Sequence, residues 1–203
     1  MATKIKTPVG ELRYVFIEGE GRDQSMPGEE ARMQYVASMV LKKDGPQHKA
    51  LLAEINKEWD AYKASAGLKP AQQPKTNGIK VILDKDTGAE TDEVLVTFKT
   101  NTKWKDGNQQ VIKVFDHKGN DITVAVHNAD WSIGNGTTGI IHGSASGNGI
   151  GGAHKVTLYL SGVQIAKLVK YEGSAIDADE IQGEDIDLGD DVAAITTDEA
   201  PAL

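Results

Sequence analysis

Apolar and polar residues alternate along this chain at two periods, and the switches between the two lay out its elements. In residues 11–17, Leu12, Tyr14 and Phe16 alternate with Arg13 and Val15, a period of two that predicts a strand. A polar loop holding Gly19, Gly21, Pro27 and Gly28 follows. Residues 33–41 set Tyr35, Ala37, Met39 and Leu41 against Gln34 and Ser38, which predicts a second strand. The period then lengthens. Leu51, Leu52, Ile55, Trp59 and Tyr62 recur on one helical face, behind an Asp44-Gly45-Pro46 start in which proline sits near the first helical position. The helix frays at Ser65-Ala66-Gly67, and so regular a stripe is read as core, Trp59 and Tyr62 included.

Residues 68–78, with Pro70, Pro74 and Asn77-Gly78, read as a linker back into strands. A short strand at 80–83 turns at 84–88. Residues 94–104 and 110–115 read as a hairpin closed near Asp106-Gly107, and 121–126 as a continuation of the sheet. Residues 134–152 hold eight glycines in nineteen positions and are expected to be mostly loop, with a strand only at 138–142. Residues 154–160 and 163–171 complete the strands. The expectation is a mainly β protein: a small antiparallel β-barrel, with one long amphipathic helix inserted between early strands.

Charge changes this picture at the C-terminal end. All 22 lysines and arginines precede residue 171, where 19 acidic residues leave a net charge of +3. The remaining residues carry eleven acidic groups and no basic one, −11 within the whole-chain −8. From 173 onward there is also no aromatic residue. Such a segment buries too little apolar surface to offset its chain entropy, so 1–172 is read as one domain and 173–203 as a disordered acidic tail. No apolar run approaches the ~20 residues of a membrane helix, and the start Met1-Ala-Thr-Lys-Ile-Lys has no apolar segment behind its lysines. With no cysteine present, disulfides, thiolate metal sites and cysteine nucleophiles are excluded. A cytoplasmic protein is expected, with no membrane partner.

Catalytic chemistry finds little support. His48, His117, His127, His142 and His154 show no metal-binding spacing. Asp84, Asp86, Gly88, Glu90 and Asp92 loosely match a calcium loop, but Gly88 stands where an oxygen ligand is needed and a hairpin turn accounts for them. Gly134, Gly136 and Gly139 match the letters of a dinucleotide fingerprint, yet no helix pattern follows to receive a pyrophosphate. No catalytic residue, cofactor or metal is expected.

One arrangement has functional content. In 94–104, Val94, Val96 and Phe98 share a face opposite Leu95, Thr97, Lys99, Asn101 and Lys103. If the aliphatic faces turn inward, the hairpin partner adds Lys113 and Phe115 to the Lys99–Lys103 surface, with Trp104 and Lys105 at its tip. The same parity turns Lys155, Thr157 and Tyr159 outward against Val156, Leu158 and Leu160. Lysines interleaved with aromatics suit a single nucleic-acid strand, because ammonium groups neutralise phosphates and rings stack on bases. An ordinary solvated sheet face carries the same pattern. Trp131, before the glycine-rich stretch, fits either a stacking residue or a plug in the barrel end.

The order of these segments resembles the bacteriophage single-stranded DNA-binding proteins of the OB fold. The resemblance rests on the Lys-Asp-Gly-Pro helix start at 43–46, the helix ending near Trp59-Asp-Ala-Tyr62, the hairpin running into Asp116-His-Lys-Gly-Asn120, and the strands at 155–160 and 164–168 leading into the acidic tail. It implies binding of single-stranded DNA in phage replication and recombination, and the strand parity above assigns the contacts to Lys99, Lys103, Trp104, Lys105, Lys113, Phe115, Lys155 and Tyr159. It also implies a tail that touches phage replication proteins such as polymerase or helicase/primase, with Asp190, Asp191, Asp198, Glu199 and Leu203 as the candidate docking residues, while the charge contrast between body and tail makes the tail a competitor for the DNA groove. The chain departs from that family in having no aromatic residue from Gly134 to His154, and in ending on leucine rather than an aromatic. Two other classes stay open: an adaptor or DNA-mimic inhibitor acting through the tail, and a small sugar- or nucleotide-modifying enzyme using the glycine-rich stretch.

Overall fold

The computed structural model describes residues 2–25, 27–28, 30–150 and 152–171. The acidic tail expected over 173–203, with Asp190, Asp191, Asp198, Glu199 and Leu203, lies outside them. In chain order the elements are β1 (Thr3–Lys6), β2 (Gly10–Phe16), β3 (Arg22–Asp23), β4 (Met33–Lys42), α1 (Pro46–Ser65), β5 (Ile79–Leu83), β6 (Glu90–Asn101), β7 (Lys113–Phe115), α2 (Thr123–His127), β8 (Ser132–Ile133), β9 (Thr137–Ile150), β10 (Ala153–Lys167) and β11 (Lys170–Tyr171). The helix falls where the 3.6 period places it, between β4 and β5. Leu51, Ile55 and Trp59 are buried, and the Trp59 indole N–H donates to the Gln72 carbonyl at 3.2 Å.

The main sheet runs β5-β6-β4-β2-β9-β10-β7, with β1 beside β9 and β3 beside β4; β8 and β11 form a separate pair. It is mixed, because β7 lies parallel to β10 while the other pairings are antiparallel. The expected antiparallel barrel is therefore corrected to a mixed sheet whose strand ladder does not close. The backbone of 75–78 spans from β10 to β6 instead: Lys75 N–H donates to His154 O (2.8 Å), Val156 N–H to Thr76 O (2.9 Å) and Thr97 N–H to Gly78 O (2.9 Å). Leu12, Met39, Ile55, Val96, Phe98, Ile141 and Leu158 form the centre of the core.

Four local expectations change, each for a traceable reason. The hairpin of 94–104 with 110–115 shrinks to its tip, where Lys103 bridges Gln109 and Trp104 N–H donates to Asn108 O at 2.8 Å. Beyond the tip, β6 pairs with β4 and β5, and β7 leaves to join β10. Residues 121–126 form a turn and α2, because the Asp121 carboxylate accepts the Thr123 N–H at 3.0 Å and Thr123 Oγ1 accepts Val114 N–H at 2.9 Å. Most of the glycine-rich stretch, 137–150, is one fourteen-residue strand, β9. Its glycines are close-approach positions rather than loop formers. A Cβ at Gly143 would strike the Tyr159 carbonyl and the Phe98 ring, and one at Gly147 would strike Tyr62 of α1. Finally, β2 carries a bulge: Arg13 opposes Ser38 but Phe16 opposes Val36, so one extra residue sits on β2. Leu12, Val15 and Ile17 are consequently buried while Tyr14 and Phe16 face outward.

Candidate nucleic-acid interface

The outer face of β2, β4, β6 and β5 is set by alternation. Val94, Val96, Phe98 and Thr100 of β6 point into the core, so Leu95, Thr97 and Lys99 point out. Opposed residues in an antiparallel ladder share a face. Val36 stands opposite Lys99, Ser38 opposite Thr97 and Lys80 opposite Leu95, and the Ser38 and Thr97 hydroxyls meet at 3.0 Å. On the other side of β4, the bulge delivers Tyr14 and Phe16 to the same face. An open groove is lined by Tyr14, Phe16, Arg22, Val36, Leu95 and Thr97, and the Arg22 guanidinium lies 4.9 Å from the Phe16 ring centroid.

Cations collect beside this groove. Lys99 is half-buried, and burial holds its ammonium below the ordinary lysine value; the nearby charges of Arg32, Lys155 and Lys80 push the same way. Among the described residues Lys80, Lys99 and Lys155 have no acidic partner within ion-pair distance. Arg13, by contrast, is neutralised by Glu11 at 2.6 Å. At one end of the face Gln34 donates to Asn101 at 2.8 Å, and the hairpin tip follows with Trp104 exposed at 60%. The Gln109 side chain ties that tip to Gly19 at 3.3 Å, next to the end of β2.

A second outward face lies across β1, β9, β10 and β7. Lys4, Ser144 and Tyr159 stand in one row, and Lys6, His142 and Gly162 in the next. Phe115 meets the His142 ring edge-on at 6.2 Å. Burial lowers the His142 pKa, a hydrogen bond with Gln164 opposes that, and Lys6 adds to the lowering. Lys113 donates to Asp121 at 2.9 Å.

The sequence matches no family model and no curated protein. Solved structures do match. The chain superposes on gp2.5, a single-stranded DNA-binding protein encoded by bacteriophage T7, with a TM-score of 0.58 at 18% identity, covering 92% of this chain and 100% of that one. A C-terminal truncation of the single-stranded DNA-binding protein from bacteriophage Enc34 gives 0.57 at 15% identity over 83% and 87% of the two chains. The Enc34 protein in complex with single-stranded DNA gives 0.55 at 13% identity over 84% and 89%. The fold is that of the bacteriophage single-stranded DNA-binding proteins.

On this fold, the residues named from the sequence fall into three places. Lys99 joins Lys155 in the cation cluster on the groove side. Lys103, Trp104 and Lys105 occupy the exposed hairpin tip. Lys113, Phe115 and Tyr159 lie on the second face. The expected side-by-side placement of Lys99 with Lys113 and Phe115 is corrected, because β7 pairs with β10 and not with β6. Tyr14, Phe16, Arg22, Arg32, Lys80, Lys4 and Lys6 were missed. For the two aromatics a signal existed: Tyr14-Val15-Phe16-Ile17 alternates aromatic with aliphatic, and Ile17 shows which set the core takes. Trp131 packs partly buried against the core, with the Lys170 ammonium 4.9 Å from its ring centroid.

The remaining candidate chemistry resolves into structure. The Asp84 carboxylate accepts Asp86 N–H (3.1 Å) and Thr87 N–H (2.8 Å) in the turn between β5 and β6. Gly134–Gly139 leads into a strand, so no helix N-terminus faces it. Among the described residues no group of His, Asp and Glu is placed to hold a metal ion, and no helix is long and apolar enough to cross a membrane.

Proposed function

We propose that the protein binds single-stranded DNA, without catalysis and largely without sequence preference. One observation carries this reading: two exposed aromatic rings, Tyr14 and Phe16, share a sheet face with Lys80 and Lys99, and that face adjoins Lys155. Cations beside stackable rings serve a strand whose phosphates and bases are both accessible. Each phosphate neutralised releases counterions, and each stacked base adds ~1–3 kcal/mol with little dependence on its identity. A duplex hides its base faces and gains only the first term. That a structure sharing this fold is a complex with single-stranded DNA supports the reading.

In this proposal the strand crosses the groove between the hairpin tip, with Lys103, Trp104 and Lys105, and the Lys99–Lys155 cluster. Tyr159, Phe115 and Lys113 on the second face are secondary contacts. The acidic 173–203 segment acts as an intramolecular competitor for the basic face. Its Asp190, Asp191, Asp198, Glu199 and Leu203 dock on phage replication proteins once DNA displaces it, which places the protein in replication and recombination in the host cytoplasm. The test is a fluorescence-anisotropy titration with oligo-dT, a mixed-sequence single strand and a duplex at two salt concentrations. Similar tight binding of both single strands, weaker duplex binding and a steep loss with salt are expected; equal binding of duplex and single strand overturns the proposal. The net −10 of residues 173–203 also favours a DNA-mimic role, which predicts a tail that engages a basic partner while the body ignores single strands.

A further inference from the structure

Tyr14 has a backbone conformation that its side chain disfavours. Its φ is +55°, and among the described residues only Asp44 is another non-glycine in the left-handed region. Aspartate tolerates that region through local hydrogen bonds, whereas a tyrosine there is strained by contact between Cβ and the following carbonyl. Strain of this kind persists only where the surroundings enforce it.

The surroundings here are specific. Up to Leu12, β2 is paired on both sides, with β4 and with Thr137–Gly139 of β9. At the bulge both ladders release it, so the Tyr14 N–H has no strand partner. A single side chain takes it: Asn135 Oδ1 accepts the Tyr14 N–H at 2.9 Å across 121 residues of chain. Asn135 lies in the turn that leads into β9, held by Gly136 N–H donating to Leu12 O at 3.2 Å and by Gly136 itself at φ +89°. The glycines flanking Asn135 thus shape a turn that delivers an amide oxygen to β2. The consequence reaches the groove. With regular alternation Tyr14 and Phe16 would follow Leu12 into the core; with the bulge they line the outer face.

We infer that Asn135 is a positioning residue for nucleobase stacking: it holds Tyr14 in a left-handed bulge so that the Tyr14 ring is presented to a base of the bound single strand. The inference rests on the single-stranded DNA reading and adds to it a division of labour. Tyr14 touches the base, and Asn135 acts only through Tyr14.

The test is a double-mutant cycle read by oligo-dT anisotropy and by thermal unfolding of the same proteins. Tyr14→Ala is expected to weaken binding about tenfold with an unchanged salt slope, since stacking releases no ions. Asn135→Ala is expected to weaken it several-fold in the wild-type background and not at all in the Tyr14→Ala background. Tyr14→Gly is expected to bind as poorly as Tyr14→Ala yet melt about 2–4 °C higher, because glycine bears the left-handed conformation freely. Wild-type affinity in Asn135→Ala, or losses that multiply in the double variant, overturn the inference while leaving single-stranded DNA binding intact. Equal melting of Tyr14→Gly and Tyr14→Ala removes the strain it depends on. Wild-type protein that ignores the oligonucleotide overturns the functional reading, and this inference with it.

Discussion

Lys113 donates to Asp121 at 2.9 Å, whereas Lys99, with which it was expected to share a surface, is surrounded by the like charges of Arg32, Lys155 and Lys80. The two lysines are therefore unequal. Lys99→Ala should weaken binding of oligo-dT and reduce the slope of log K against log salt by about 0.7, the amount for one phosphate contact on a single strand. Lys113→Ala should change that slope little, since its charge is already countered. Paired salt titrations of the two variants decide the matter; equal losses would place the DNA path over β7.

Lys99 also makes binding sensitive to alkaline pH. Its pKa in the free protein is lowered, by burial first and by neighbouring cations second. A bound phosphate favours the charged form, so binding draws a proton onto Lys99 in the interval below the ordinary lysine value. Affinity should fall as pH rises through the interval just below the ordinary lysine value, and Lys99→Arg should flatten the decline because guanidinium stays charged throughout. The sign for stability is opposite. A lysine with a lowered folded pKa opposes folding while it is protonated, so that penalty lifts as pH rises through the folded pKa.

Phe16 and Phe98 give a contrast between face and core. Phe16→Ala removes an exposed ring and its contact with Arg22, so it should cost ~1–3 kcal/mol of binding with an unchanged salt slope and a nearly unchanged melting temperature. Phe98 is fully buried, and Phe98→Ala should cost about 3–5 kcal/mol of stability. Titration and thermal melts of both variants check the pair.

Gly147→Ala tests why β9 is rich in glycine. The new methyl meets Cβ and Cγ of Tyr62, whose hydroxyl is hydrogen-bonded to His154 Nδ1 at 2.9 Å, so α1 must move off the sheet. A loss of about 1–3 kcal/mol is expected in urea unfolding. Binding by the folded fraction should persist, because neither residue lines the groove.

Truncation after Glu172 removes ten acidic groups and should raise affinity for single-stranded DNA, most at low salt, if that segment visits the basic face. Tethering keeps its effective concentration near the mM range, and screening near 1 M salt, where the Debye length is ~3 Å, should erase the difference. Identical low-salt affinities of full-length and truncated protein would confine the tail to docking or solubility.

The sequence by itself determined what depends on neighbours along the chain. A 3.6-residue stripe behind Pro46 sufficed for α1. Strict alternation sufficed to turn Lys99 outward on β6 and Lys155 and Tyr159 outward on β10, because side chains in an unbroken strand have no third direction. Only the tertiary structure decided which strands meet. Nothing within residues 110–115 tells them to leave β6 for Gly162–Gln164, nearly fifty residues later. Glycine in 134–152 signalled freedom, yet within β9 it serves as clearance, and clearance has meaning only once Tyr62, Phe98 and Tyr159 have arrived. The outward turn of Tyr14 and Phe16 likewise goes with an N–H accepted by Asn135, 121 residues further along the chain. Local periodicity chooses a face; a long-range hydrogen bond can reverse it, because a single inserted residue moves every later side chain of the strand to the other side.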